Sequence, residues 1–554
     1  MKPGLKQWTQ SGAPWIWLNA AAVSTSLLMV FGLLWLISVR GFGFFWPSDV
    51  LEMQYQTQAG KTSRIIGEIW DSQLASVENL RANGITIETD EESVMRYLLK
   101  SGNRDITGAD FQQILEPFIV SKSYPEEILV VERTEWGNQY GYLKNVKQQG
   151  KVVAEGESAK EELQQRLQRT ISIRDEISRI SKSDIGSINY GMEKLRLKER
   201  KLELDGDLDS RKKENIELQR TDLQDKYNKL QTLLIEHNTD LTRDSFTLEI
   251  MDGRIFEVPL SKVIDISKPN AMSLIQKIGR YFFNINNFIF DDPREANTEG
   301  GVFPAIFGTI MMVIIMAILV TPFGVIAAVY LREYAKQGPL IRTIRIAVNN
   351  LAGVPSIVYG IFGLGFFVYF LGGNIDQLFF PEALPSPTFG TPGLLWASLT
   401  LAIMTLPVVI VSTEEGLSRI PRAIREGSLA LGATKFETLW RTVIPMSSPA
   451  IMTGLILAVA RAAGEVAPLM LVGVVKLAPS LPLDGNFPFL HLERKFMHLG
   501  FHIYDVGFQS PNVEAARPLV YATALLLVIV IIALNLFAIR IRNNLREKFK
   551  SLEV

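Results

Sequence analysis

Six stretches of this chain are apolar over about 20 residues, the length an α-helix needs, at about 1.5 Å per residue, to cross a bilayer. They run near Asn19–Val39, Val302–Leu331, Ile346–Leu371, Gly393–Val411, Ser448–Val475 and Pro518–Ile539. Lipid offers the backbone no hydrogen-bond partner, so segments of this length span as helices. The expected fold is an α-helical polytopic membrane protein with six transmembrane helices. A large mixed α/β, partly coiled-coil insertion separates helices 1 and 2. The first stretch also fits a signal peptide. No small-x-small cleavage site follows it, however, and Trp15 and Trp17 precede it as interface anchors, so an uncleaved anchor is expected.

Composition fits a chain divided between membrane and water. It is 47% hydrophobic and 21% charged over 554 residues, with a mean hydropathy of +0.15. The net charge of −1 says nothing about partners, and no nucleic-acid partner is expected. Cysteine is absent, which excludes disulfides, thiolate metal sites and cysteine nucleophiles.

Basic residues set the expected orientation. Arg332, Lys336, Arg342 and Arg345 follow the second span. Arg419, Arg422, Arg425, Lys435 and Arg441 follow the fourth. Arg540, Arg542, Arg546, Lys548 and Lys550 follow the sixth. Six spans put these three groups on one side with Lys2 and Lys6, so both termini (residues 1–18 and 543–554) are expected in the cytoplasm. Residues 40–300 are then expected in the periplasm of a bacterial inner membrane.

Within that insertion, residues 158–237 have helical periodicity. Ile216, Leu223, Tyr227, Leu230 and Leu234 recur at coiled-coil spacing, as do Ile173, Ile177 and Ile180. Gly186, Gly191 and Asp205-Gly206-Asp207 interrupt it, which predicts a folded-back hairpin. Strand-like runs flank it at Glu127–Arg133 and at Phe246–Ile250 and Arg254–Val258, the last two around an Asp252-Gly253 turn. A rigid spacer or docking surface without chemistry fits this pattern. Leu274, Ile278, Tyr281, Phe282, Ile285, Phe288 and Ile289 line one face of a further helix. It suits a helix lying flat at the membrane interface, and equally a core helix of the insertion.

Two places carry candidate function. Arg461 and Glu465 stand four apart inside the apolar stretch Ile451–Val475, on one helix face where they can pair. Charges at that depth are costly and serve a pathway or a partner, and a clamp between helices fits them as well. The second place is the loop of residues 416–447. Pro421 opens a helix over Arg422–Leu431, and Gly432 can take the left-handed conformation that ends it. Thr434 and Glu437 have capping-box spacing for a second short helix, which Pro445 is expected to halt before Ser448-Pro449 opens the fifth span. Two short helices at a glycine turn make a compact knob able to enter a cleft on another protein. An ordinary inter-helix loop carries the same caps.

Glu426-Gly427-Ser428, Gly432 and Ile444-Pro445 resemble the Glu-Ala-Ala loop of ABC-importer permeases, with Gly427 and Ser428 in place of the two alanines. Thr442 stands where isoleucine is usual and Ile444 where leucine is usual. Gly301–Thr309, Gly353–Gly360, Glu426–Ala433 and Ala460–Glu465 are similar to the PstA family of phosphate-specific permeases over residues 301–542. The resemblance implies an inner-membrane permease subunit that is not itself an enzyme. It implies pairing with a PstC-like permease, PstB-like ATPases and a PstS-like periplasmic phosphate-binding protein, with inorganic phosphate as cargo and membrane lipid around it. Glu426, Gly432, Thr434, Glu437 and Pro445 would form the loop that meets the ATPase. Arg461 and Glu465 would serve the pathway, Arg461 offering a planar fork for phosphate oxygens. Pro322, Pro355 and Pro407 are expected kinks around it.

No cofactor is expected on this chain, ATP being used by a partner. Gly60-Lys61-Thr62 lacks the earlier glycine of a phosphate-binding loop. His498 and His502, with His491, Glu493 and Asp505 nearby, are expected to be surface histidines; no His-Glu-x-x-His motif is present and no metal is expected. Alternatives are a permease for molybdate, sulfate or phosphonate, or a membrane-anchored scaffold or sensor.

Overall fold

The computed structural model describes residues 11–56, 60–87, 89–510 and 513–549. Lys2, Lys6 and Lys550 of the orientation argument lie outside them. Six helices have the length and apolarity to cross a membrane: Pro14–Gly43, Phe303–Tyr334, Ser356–Phe379, Leu394–Arg419, Lys435–Gly464 and Ala515–Lys548. They are the first to sixth spans below.

Four spans depart clearly from their expected bounds, the sixth by running past Ile539 to Lys548. Residues 346–351 belong to a separate amphipathic helix, Pro339–Leu351. The chain breaks after it because Pro355 disfavours helical backbone at Val354, and Pro355 then caps the third span instead of kinking it. The fourth span continues beyond Val411 to Arg419. The fifth begins earlier than Ser448: Lys435–Thr438, the widened π turn Leu439–Val443 and Ile444–Gly464 form one helix. Pro445 therefore does not halt a helix. It lies inside the continuous helix, directly after the widened turn, where its missing N–H removes one backbone hydrogen bond without ending the helix. Pro322 and Pro407 do lie inside helices.

The second, fourth and fifth spans form the membrane core. Met312, Met316, Leu401, Met404, Val409, Ala458 and Ala462 are buried in one cluster. Glycines allow this approach. A Cβ on Gly454 of the fifth span would stand 2.6 Å from Ser412 Cβ, and one on Gly324 of the second 2.5 Å from Val409 Cγ1. Small residues let membrane helices come close enough for dispersion contacts to hold them. The first span differs. Its side chains face outward over most of its length, and it meets the sixth span at its end, where Gly41 packs on Tyr521 and Leu525.

The insertion folds into two larger antiparallel sheets, a two-stranded ladder of Pro293–Arg294 with Glu299–Gly300, and a helical arm. β1 (Val50–Gln56), β2 (Thr62–Ser76), β3 (Ser93–Lys100), β4 (Phe111–Leu115) and β5 (Ile119–Ser123) are ordered β4-β3-β2-β1-β5. The second sheet contains β6 (Leu129–Arg133), β7 (Gln139–Gln148), β8 (Lys151–Glu155), β9 (Asp244–Glu249), β10 (Ile255–Pro259) and β11 (Val263–Ser267). Its order is β10-β9-β7-β6-β11, with β8 also on β7. The arm is inserted between β8 and β9. Leu163 and Leu167 anchor its base against Val146, Phe246 and Leu248.

The arm is a hairpin with one turn. Glu157–Arg179 and Ile185–Leu204 join through a widened turn at Ile180–Asp184, and Ser210–Leu241 returns. Gly186 and Gly191 therefore do not interrupt it. Gly191 instead admits Leu223 of the returning helix, 3.2 Å from where a Cβ would stand. The turn is at Gly206, with φ +69°, and Asp209 caps the next helix through Lys212 N at 2.7 Å.

Several contacts seat the insertion on the membrane core. Trp70 Nε1 donates to Ala515 O at 2.7 Å, and Asp71 Oδ2 stands 3.8 Å from Arg517 Nη1 of the sixth span. Tyr190 of the arm donates to the Phe487 carbonyl of the loop before the sixth span. Helix Leu274–Phe290 opens with a complete capping box between Ser273 and Gln276. It leaves Ile275, Ile278, Phe282 and Phe283 exposed and buries Phe288, as an interfacial helix does.

Candidate functional site: the helix break and the knob

Arg461 lies in the last turn of the fifth span, not at its centre. The helix ends at Gly464, and Glu465 is already extended, with φ −78° and ψ 137°. Pro468 lacks an N–H and starts a short helix, Leu469–Val472. Gly360 of the third span packs onto Pro468, whose Cα lies 2.7 Å from where a Cβ on that glycine would stand. The break therefore sits against the third span.

Arg461 Nε is 3.6 Å from Glu465 Oε1, and both side chains are half-buried. That distance is an ion pair rather than a hydrogen bond. Among the described residues the Arg461 guanidinium donates no hydrogen bond and has no other carboxylate within 4.0 Å. A guanidinium is a planar fork of donors that matches the oxygens of a carboxylate or phosphate.

The knob forms from local signals. Helix Arg422–Ala430 follows Pro421, and Gly432 has φ +89°. Thr434 Oγ1 accepts from Glu437 N at 3.2 Å, and Glu437 Oε2 accepts from Thr434 N at 2.9 Å. Ser428 and Thr438 hydroxyls meet at 2.9 Å across the turn. The knob is one short helix and the opening turns of the fifth span, not two short helices. Glu426 and Gly432 are exposed on it.

Two features of the knob escape a reading of the sequence. Arg425 Nη2 pairs with Glu333 Oε1 at 3.0 Å and donates to Leu417 O at 2.7 Å, while Lys435 donates to the Glu333 carbonyl. Both basic residues thus tie the knob to the end of the second span. Secondly, Leu431 is 92% exposed, and Phe436 and Trp440 stack with centroids 6.2 Å apart while remaining 65% and 64% exposed. Exposed apolar surface of this kind is found at protein interfaces. The i, i+4 spacing of Phe436 and Trp440 was the available signal.

The histidines before the sixth span are buried, contrary to expectation. His491 bridges Asp484 at 3.0 Å and Glu493 at 3.1 Å. His498 Nδ1 accepts from Gly500 N at 3.1 Å, and burial lowers the His498 and His502 pKa values to about 4. His498 and His502 lie in a segment folded back on the second span, where Leu499 N donates to Thr309 Oγ1 at 3.0 Å. Beside them Asp505 pairs with Lys476 at 3.0 Å.

Residues 320–551 match the family of binding-protein-dependent transport system inner membrane components. The phosphate transport system permease protein PstA of Mycobacterium leprae is 36% identical over 245 residues, 44% of this chain and 71% of that protein. A probable PstA of Methanocaldococcus jannaschii is 28% identical over 46% of this chain and 79% of its own length. PstC of Mesorhizobium japonicum is 35% identical over 30% of this chain and 53% of that protein. The inward-facing MetNI methionine ABC transporter has a chain with a TM-score of 0.33 and 18% identity, covering 44% of this chain and 94% of that one. The chain belongs to the binding-protein-dependent transport permeases, as a PstA-type member.

Proposed function

We propose that this chain pairs with a second, PstC-like permease to form the pathway for inorganic phosphate. Two PstB-like ATPases supply the drive and a PstS-like binding protein delivers the anion. The chain itself holds no cofactor. The observation that carries the reading is Arg461, a half-buried guanidinium at a helix break whose only carboxylate partner, among the described residues, stands at 3.6 Å. The names of the relatives supply the anion. An arginine reads charge better than identity, so molybdate, sulfate and phosphonate remain the competing cargoes.

In this reading Glu465 holds Arg461 when the pathway is empty and yields it to phosphate. The knob around Glu426, Gly432, Thr434, Glu437 and Pro445 seats in the ATPase through Leu431, Phe436 and Trp440. It faces the cytoplasm with the other basic loops, and the insertion faces the periplasm. The test is low-phosphate uptake by Arg461→Ala. Loss of uptake with normal membrane assembly supports the reading, and normal uptake refutes it.

A further inference from the structure

A groove of about 400 Å³ opens between the outer ends of the first and sixth spans. Its walls include Arg40, Trp70, Asp71, Gln73, Arg517 and Tyr521. The volume falls in the range of small-molecule sites, about 300–1,000 Å³. Its depth in the bilayer follows from helix geometry. Trp17 and Arg40 are separated by roughly 35 Å of helix at about 1.5 Å per residue, and so are Arg517 and Arg540. The hydrocarbon core is about 30 Å thick. Arg40 and Arg517 therefore sit together at one boundary of the membrane, at the antiparallel contact marked by Gly41 on Tyr521.

The charges there are unbalanced. Among the described residues the Arg40 side chain has no hydrogen bond or ion pair. Arg517 has one loose partner, Asp71 Oδ2 at 3.8 Å. Asp71 also accepts from Gln73 Nε2 at 3.3 Å. Trp70 is held in the wall by its bond to Ala515 O. Two guanidinium groups face one carboxylate, leaving a net positive groove at headgroup level. Below it, on the face of Arg40, the first span presents Leu36, Leu33 and Met29, all exposed.

We infer that the groove binds the phosphodiester of an anionic phospholipid. Arg40 and Arg517 take its oxygens, and its acyl chains lie along the first span. A guanidinium pair matches phosphate oxygens in geometry and charge. The lipid would bridge the anchor to the core where protein contact is confined to one end.

The test is native mass spectrometry of the full-length chain in detergent, titrated with dioleoylphosphatidylglycerol or dioleoylphosphatidylcholine. The expected result is a preference for phosphatidylglycerol that falls about fivefold for each of Arg40→Gln and Arg517→Gln. Arg40→Lys and Arg517→Lys, which keep the charge, retain most of it and show that the fold is not the cause. Excess inorganic phosphate does not displace the lipid. Equal affinity for the two lipids, a preference surviving in the double glutamine variant, or displacement by inorganic phosphate would each overturn the inference.

Discussion

Arg425 reaches across from the knob to Glu333 at the end of the second span, with Nη2 and Oε1 3.0 Å apart. Both side chains are largely buried, and Arg425 also holds the Leu417 and Ile420 carbonyls. These contacts join the knob to the ends of the second and fourth spans, and in the proposed mechanism they carry its movement into the membrane. Removing one partner of such a bond costs about 1.5–3 kcal/mol. Arg425→Ala is expected to leave the chain in the membrane but to lower uptake per ATP hydrolysed. Unchanged coupling, measured in proteoliposomes of the proposed complex, would show that the strap transmits nothing.

The exposed stack of Phe436 on Trp440 leads to a binding prediction. Phe436→Ala with Trp440→Ala is expected to abolish co-purification of the ATPase while the permease chain still inserts. Hot-spot aromatics lose at least about 2 kcal/mol on truncation, some 30-fold in affinity. Retention of the ATPase at parent levels would place the interface elsewhere.

Gly360 predicts a packing defect. An added Cβ meets the Pro468 backbone, which has no flexible end to move away. Gly360→Ala is expected to lower stability by about 1–3 kcal/mol, and Gly360→Val by more. Thermal unfolding in detergent measures this, with Gly365→Ala, at an open position, as the neutral control.

His498 and His502 make stability depend on pH. Their folded pKa values, about 4, lie below the ordinary histidine value of 6.5. The unfolded chain therefore binds more protons between these values. Stability is complete above pH 6.5 and is lost as pH falls toward 4, by roughly 3 kcal/mol per histidine. The melting temperature should drop across that window, and His498→Gln should flatten the drop. A parent melting temperature unchanged from pH 7 to 4.5 would contradict the burial of these rings.

Local signals were legible in the sequence and distant pairings were not. The Thr434–Glu437 box and the left-handed Gly432 each depend on residues within one turn. The start of the fifth span was misplaced because a widened turn at Leu439–Val443 carries the helix past Pro445. Arg461 looked central because apolar residues continue to Val475, while Gly464 and Pro468 end the helix first. Neither the order of the sheets nor the Arg425–Glu333 pair has a local marker, since both join residues far apart in the chain. Burial of the histidines likewise depends on a loop folding back onto Thr309.

The central claim is that Arg461 serves a phosphate pathway. Labelled-phosphate uptake into phosphate-starved cells, with and without this chain, tests it most directly, with molybdate and sulfate as competitors. The account predicts uptake that requires the chain, that unlabelled phosphate alone competes for, and that Arg461→Ala abolishes. Uptake unchanged by loss of the chain, or blocked equally well by molybdate or sulfate, would contradict it.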